Sequence, residues 1–173
     1  MRAAPYLTLL ATLALAASAA SCTDPVIDEA IAKLGDEPAS PGPGPNHRPN
    51  QPCVLCHQPA GTANSHFAVA GTIYDVADPK AAKGVEGVQI LMVDAAGTSP
   101  RGNVFTNKSG NFFVRDTDWP DLQFPFHVKI NKDGNNKLMT SHVGREPSCA
   151  GCHRDPVKGV SNDRFGAVGR VHL

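Results

Sequence analysis

Gly84-Val85-Glu86-Gly87-Val88-Gln89-Ile90-Leu91-Met92-Val93-Asp94 is the stretch that decides the fold. Val88, Ile90 and Met92 fall on one side of an extended chain and Gly87, Gln89 and Leu91 on the other, the period of two that a half-buried β-strand needs. Short apolar runs of the same kind occupy residues 67–75, 104–106, 111–115, 124–131 and 137–143. Six or seven strands fit this pattern. Asn107-Lys108-Ser109-Gly110 and Lys132-Asp133-Gly134-Asn135 read as hairpin connections, because Gly and Asn tolerate the positive φ of tight turns. Composition agrees: 16 Gly and 15 Pro against 7 Phe, 2 Tyr and 1 Trp in 173 residues favour a small β-rich domain with many turns over a helical bundle. The formal net charge is zero, and no basic patch points to nucleic acid.

Three segments inside this region resemble the carboxypeptidase regulatory-like family. They are Gly71-Thr72-Ile73-Tyr74-Asp75, Gly84-Val85-Glu86-Gly87-Val88-Gln89-Ile90 and Thr106-Asn107-Lys108-Ser109-Gly110-Asn111-Phe112. The resemblance implies a mainly β protein, a small antiparallel Ig-like or transthyretin-like sandwich over residues 67–143, and a scaffold role without catalytic residues.

The amino terminus reads as targeting material. Met1-Arg2 is a short basic head, and residues 6–17 form an apolar run too short for a membrane span. Residues 1–21 are expected to be a signal peptide. Ser18-Ala19-Ala20-Ser21 before Cys22 resembles the lipobox of bacterial lipoproteins, in which the cysteine is lipidated. The family prefers Leu where this chain has Ala19, so ordinary cleavage after Ala19 or Ala20 stays open. Thr23, rather than Asp, implies by the same resemblance an outer-membrane lipoprotein facing the periplasm or the cell surface. Asp24 as cap, Pro25 at the first helical position, apolar Val26, Ile27, Ala30, Ile31 and Leu34, and Gly35 as stop predict a short helix. A plain spacer is the reading favoured for this segment, since a helix of about ten residues is marginal unless it docks. Residues 36–52, with Pro38, Pro41, Pro43, Pro45, Pro49 and Pro52, predict an extended stalk that completes a membrane-tethering segment over residues 22–52.

Two motifs carry chemistry. Cys53-Val54-Leu55-Cys56-His57 and Cys149-Ala150-Gly151-Cys152-His153 are both C-x-x-C-H and resemble the haem attachment sequence of c-type cytochromes. The resemblance implies two covalently attached c-type haems, each held by thioethers from its two cysteines, with His57 or His153 as proximal iron ligand. Three other readings compete: a local disulfide in each motif, which suits an exported chain; one zinc site from all four thiols, which the separation of the motifs disfavours; and a thioredoxin-like redox pair, whose βαβ context is absent. Of the five cysteines, Cys22 sits where a lipid is expected and the motifs consume the rest.

For the opposite axial positions we expect His66 at the first iron and His142 at the second, with His172 the chief rival there and His47, His127 and Met139 also in play. A hairpin centred on Gly134-Asn135 would set His127 directly opposite His142. It would make them a ligand and its supporting partner, or a simple surface pair.

The haem segments, residues 53–66 and 144–173, bracket the sandwich. Terminal strands of such sandwiches often run parallel, and a seven-residue strand spans roughly 23 Å at about 3.3 Å per residue. The two haems are therefore expected at opposite poles, each a port to another redox protein, unless the tail folds back. This favours an electron carrier at the bacterial cell envelope, a relay or stackable link with cytochrome partners, self-association and a lipid-anchored membrane contact. A small haem reductase or peroxidase with an open iron position is an alternative. A haem-bearing binding or sensory module is another, for which Asp116, Asp118, Trp119 and Asp121 form a loop able to contact a cation or sugar. Their ordinary reading is a solvated turn. No phosphate loop, nucleophile triad or pair of catalytic carboxylates stands out.

Overall fold

The computed structural model describes residues 24–155 and 168–173. The expected signal peptide and the lipidation site Cys22 lie outside the described residues. Helix α1 (Pro25–Ala32) forms as its signals predict: Asp24 Oδ1 accepts from the amides of Val26 and Ile27, Pro25 opens the helix, and Gly35 follows it with φ +71°.

Among the described residues six strands make two antiparallel sheets. In the first, β1 (Phe67–Thr72) pairs with β4 (Asn111–Arg115). In the second, β2 (Gln89–Asp94), β3 (Val104–Phe105), β5 (Phe126–Lys132) and β6 (Asn135–Leu138) lie in the order β3-β2-β5-β6. The sheets close on one core. Val88, Ile90 and Met92 pack with Phe126, Val128 and Ile130 from one side and with Val69, Ile73, Phe112 and Val114 from the other. The alternation read from the sequence therefore holds in β2, whose Leu91 and Val93 face outward.

Two turns differ in role. Asp133 (φ 52°) and Gly134 (φ 87°) form the two-residue link of the β5–β6 hairpin, the positive-φ pair that matches strand twist. Asn107 to Gly110 is a tight turn, with the Gly110 amide donating to the Asn107 carbonyl at 2.8 Å. It does not make a paired hairpin, however: β3 joins β2 and β4 joins β1, so the chain changes sheets there.

The proline-rich segment does not stand off as a stalk. Asn111 donates to the carbonyls of His47 (2.8 Å) and Pro45 (3.4 Å), and Asn107 to that of Pro45 (2.6 Å). Arg48 gathers Glu37, Gln51 and the carbonyls of Leu34 and Gly35. Proline removes a donor but leaves its carbonyl free, and here side-chain amides of the sandwich take those carbonyls up.

Candidate functional site

The first motif is a single helical turn, α2 (Cys53–Cys56), closed by the His57 amide donating to the Cys53 carbonyl at 3.0 Å. Asn50 is fixed at the far end of β1 by a 3.0 Å bond from its amide to Thr72 Oγ1. The Phe67 amide, at the near end, donates to the His57 carbonyl at 2.9 Å. The motif thus runs alongside β1 instead of leading into it. The loop that makes this possible is pinned by the Ala63 amide on the Cys56 carbonyl (3.0 Å). Gly61 lies against that same carbonyl, where a Cβ would overlap the Cys56 backbone.

This loop delivers Ser65 to the proximal candidate. His57 Nδ1 is 2.8 Å from the Ser65 carbonyl and 3.1 Å from its hydroxyl. A carbonyl only accepts, so Nδ1 carries the proton and the neutral ring keeps its lone pair on Nε2. Burial lowers the His57 pKa, while the Ser65 carbonyl pulls the other way and the charges of His47 and His66 add to the lowering. The ring plane is set by Phe67, stacked at 4.1 Å, which in turn stacks on Phe113 at 4.7 Å.

The second motif repeats the arrangement by other means. The His153 amide donates to the Cys149 carbonyl at 2.7 Å, and His153 Nδ1 lies 3.0 Å from the Gly169 carbonyl. Its orienting group comes from the carboxy-terminal tail. That tail is held by a bidentate Arg170–Asp155 pair, both bonds 2.7 Å, and by the Tyr74 amide on the Val171 carbonyl and the Leu173 amide on the Tyr74 carbonyl. Arg170 also lies over the Tyr74 ring, 4.6 Å from its centre. The tail folds back.

The two motifs meet. Val54 N–H donates to the buried Ser148 Oγ at 3.0 Å, and Ser148 bridges in parallel to Ala70 in the middle of β1. Both motif turns pack on β1, which is why Val69 to Thr72 are buried without alternation. Cys149 lies so close to Gly71 that a Cβ there would come within 2.7 Å of its Sγ. Burial pushes the Cys149 thiol up to about 12, with the nearby Cys53 adding to the shift; burial likewise raises Cys53 to about 11. The expectation of opposite poles is therefore overturned. It assumed that the first motif feeds straight into β1, whereas the loop after His57 doubles back and the segment before Cys149 returns along the same strand.

The four motif cysteines are unpaired thiols. Among the described residues no three His, Cys, Asp or Glu side chains converge as a metal cluster.

The other histidines are spread more widely. His66 faces Asp116, with Nδ1 3.7 Å from Oδ2. His142 meets His127, ring centres 6.3 Å apart, beside the four-stranded sheet rather than along β1, where the second motif sits. Met139 packs against the core, and His172 Nδ1 bonds the Arg170 carbonyl at 3.1 Å. His47 has its ring centre 5.9 Å from that of His57 at 74°, with Nδ1 on Glu37 Oε1 at 3.1 Å. Trp119 is only 3% exposed and donates from Nε1 to Thr98 Oγ1 at 2.9 Å. It is a core residue, which removes the aromatic surface that sugar contact on that loop required. Sequence reasoning missed Ser65, Ser148 and Gly169, which act largely through backbone atoms or a single hydroxyl and have no motif.

No family model, curated protein or solved structure matches this chain.

Proposed function

We propose that the protein is a dihaem c-type cytochrome that carries electrons, with one haem bound by Cys53, Cys56 and His57 and the other by Cys149, Cys152 and His153. One observation carries the reading. In both motifs, built from unrelated surroundings, histidine Nδ1 is engaged by a backbone carbonyl, Ser65 in one and Gly169 in the other. A metal-bound imidazole needs this support, which fixes the tautomer and directs Nε2 to the metal. His172, outside both motifs, makes a like contact to the Arg170 carbonyl, so what supports the reading is that this bond falls on the C-x-x-C-H histidine in both motifs.

The residues present fit the group: two thiols and one Nε2 donor per motif, with no disulfide taking up the sulfur. Bound haem supplies a reversible one-electron Fe(III)/Fe(II) couple. The chain's own contribution is to hold the two attachment turns on one strand through Ser148 and to shield Cys149 against Gly71. Adjacent anchoring favours electron sharing between the haems over two independent ports. The scaffold role of the β-sandwich, the redox-protein partners, and lipid anchoring through Cys22 at the outer membrane belong to the same proposal.

The test is kinetic. Reduced protein, matured with its haems, is expected to reduce an oxidised soluble cytochrome c rapidly and to show no turnover of hydrogen peroxide or nitrite. Turnover of either substrate with slow transfer to the cytochrome would favour a haem reductase or peroxidase instead.

A further inference from the structure

We propose that His47 is the second axial ligand of the haem bound by Cys53, Cys56 and His57, and that Glu37 is its positioning residue. The assignment rests on the dihaem reading above and replaces His66 as our expected ligand.

Three observations converge on His47. Its ring centre is 5.9 Å from that of His57. Imidazole nitrogens lie about 2 Å from a bound first-row metal, so this spacing would let both rings reach one ion; the His127–His142 pair has a like spacing, 6.3 Å, but includes no motif histidine. Its Nδ1 is tied to Glu37 Oε1 at 3.1 Å, which leaves Nε2 as the donor and makes the ring more basic, as carboxylate–histidine pairs do at metal sites. Finally, the support is itself supported. Arg48 Nε holds the other Glu37 oxygen at 2.9 Å, Arg48 is fixed by Gln51 at 2.8 Å and the Gly35 carbonyl at 2.7 Å, and Asn111 grips the His47 carbonyl at 2.8 Å. A surface histidine in a proline-rich tether would gain nothing from such a chain of contacts. His66 is held less firmly: its Nδ1 stands 3.7 Å from the exposed Asp116 carboxylate, and its carbonyl accepts from the Asp116 amide at 3.3 Å.

The experiment uses the full-length holoprotein with paramagnetic resonance and optical spectra of the ferric state. In the wild type, near-perpendicular imidazole planes, 74° here, are expected to give one low-spin signal with an unusually large maximal g value. In His47→Ala that signal is lost, one haem becomes high-spin and binds cyanide, and added imidazole restores the low-spin state. His66→Ala leaves it unchanged. His47→Met keeps the first haem six-coordinate but shifts its potential upward, as thioether ligation does. Glu37→Gln keeps the low-spin signal while its potential rises, an effect that simple loosening of the segment would not produce. An unchanged ferric spectrum in His47→Ala with both haems attached overturns the assignment and leaves the dihaem reading intact. Loss of the signal in His66→Ala instead overturns it in favour of that residue. Absence of covalently attached haem in the wild type overturns the reading on which it rests. Should His47→Ala fail to fold, an unshifted first potential in both His47→Met and Glu37→Gln overturns the assignment.

Discussion

The backbone N–H of Val54 donates to the hydroxyl of Ser148, 3.0 Å away across a separation of 94 residues. This bond joins the interior of the first cysteine motif to the residue immediately before the second. Ser148 is 2% exposed, so neither partner has solvent to fall back on.

Replacing Ser148 by alanine leaves the Val54 amide buried without an acceptor. A destabilisation of about 1–3 kcal/mol is expected for an orphaned buried donor, read from the shift in urea midpoint at unchanged slope. Ser148→Thr, which keeps the hydroxyl, should recover part of the loss. Equal midpoints for wild type and Ser148→Ala would show that the two motifs are held together by other contacts.

Gly71→Ala tests the approach of Cys149. The added methyl would lie 2.7 Å from Cys149 Sγ and 2.9 Å from Phe112 Cε1, an overpacking expected to cost about 1–3 kcal/mol. Gly97→Ala is the control: with φ +77° and no atom within 4 Å of its Cβ, it carries backbone strain of about 1–2 kcal/mol and no steric clash. Haem content, counted by mass, should fall at the second motif in Gly71→Ala and stay complete in Gly97→Ala.

Four carboxylates are held below their ordinary values, Glu37, Asp75, Asp94 and Asp155, and the last two separate the acid sensitivity of the core from that of the tail. For Asp94, burial alone would raise the pKa, but the amides of Gln123, Thr98 and Ala96 and the Thr98 hydroxyl outweigh it and the net shift is downward. Asp155 is lowered first by its hydrogen bonds to Arg170. A folded pKa below the unfolded one gives stability that is complete above the ordinary aspartate value of 3.8 and lost as pH falls through the depressed folded value. Melting temperature should therefore drop steeply in that acid window, and less steeply in Asp94→Asn. Asp155→Asn should release the tail first, seen as faster hydrogen exchange at the Tyr74 and Leu173 amides with the core amides unchanged. Core and tail amides losing protection together would contradict a separately held tail.

Trp119→Ala removes a buried indole packed 5.8 Å, centre to centre, from Phe126 and should cost about 3–5 kcal/mol. Haem attachment should persist in whatever fraction folds, since the residue touches neither motif turn's hydrogen bonds. Selective haem loss without a stability change would give that loop a role at the haems.

Much of the sandwich was legible because side-chain alternation and turn residues encode it. Val88, Ile90 and Met92 face the core as their spacing demands, and Asp133-Gly134 makes the tight link that its residues favour. The His127–His142 encounter was also readable, although the turn sits one residue earlier than Gly134-Asn135. Between the Lys129–Leu138 and Phe126–Val143 pairs the returning chain carries two more residues than β5, and that slip restores the opposition. The meeting of the two motifs was not legible. It depends on a loop pinned by the Cys56 carbonyl, on the hydroxyl of Ser148 and on a tail carbonyl at Gly169, none of which leaves a periodic signal. The packing of the proline-rich segment was hidden for a related reason: its carbonyls are captured by Asn107 and Asn111, residues that also suit a turn and announce no distant partner.

The most direct measurement is the intact mass of denatured protein that has been exported and matured by a cytochrome c assembly system, taken after treatment with a thiol-alkylating reagent. Expected is the mass of the mature chain, including the lipid on Cys22, plus two haems, with Cys53, Cys56, Cys149 and Cys152 all refractory to alkylation. A chain without added prosthetic groups, its four cysteines alkylated or joined as disulfides, would contradict it.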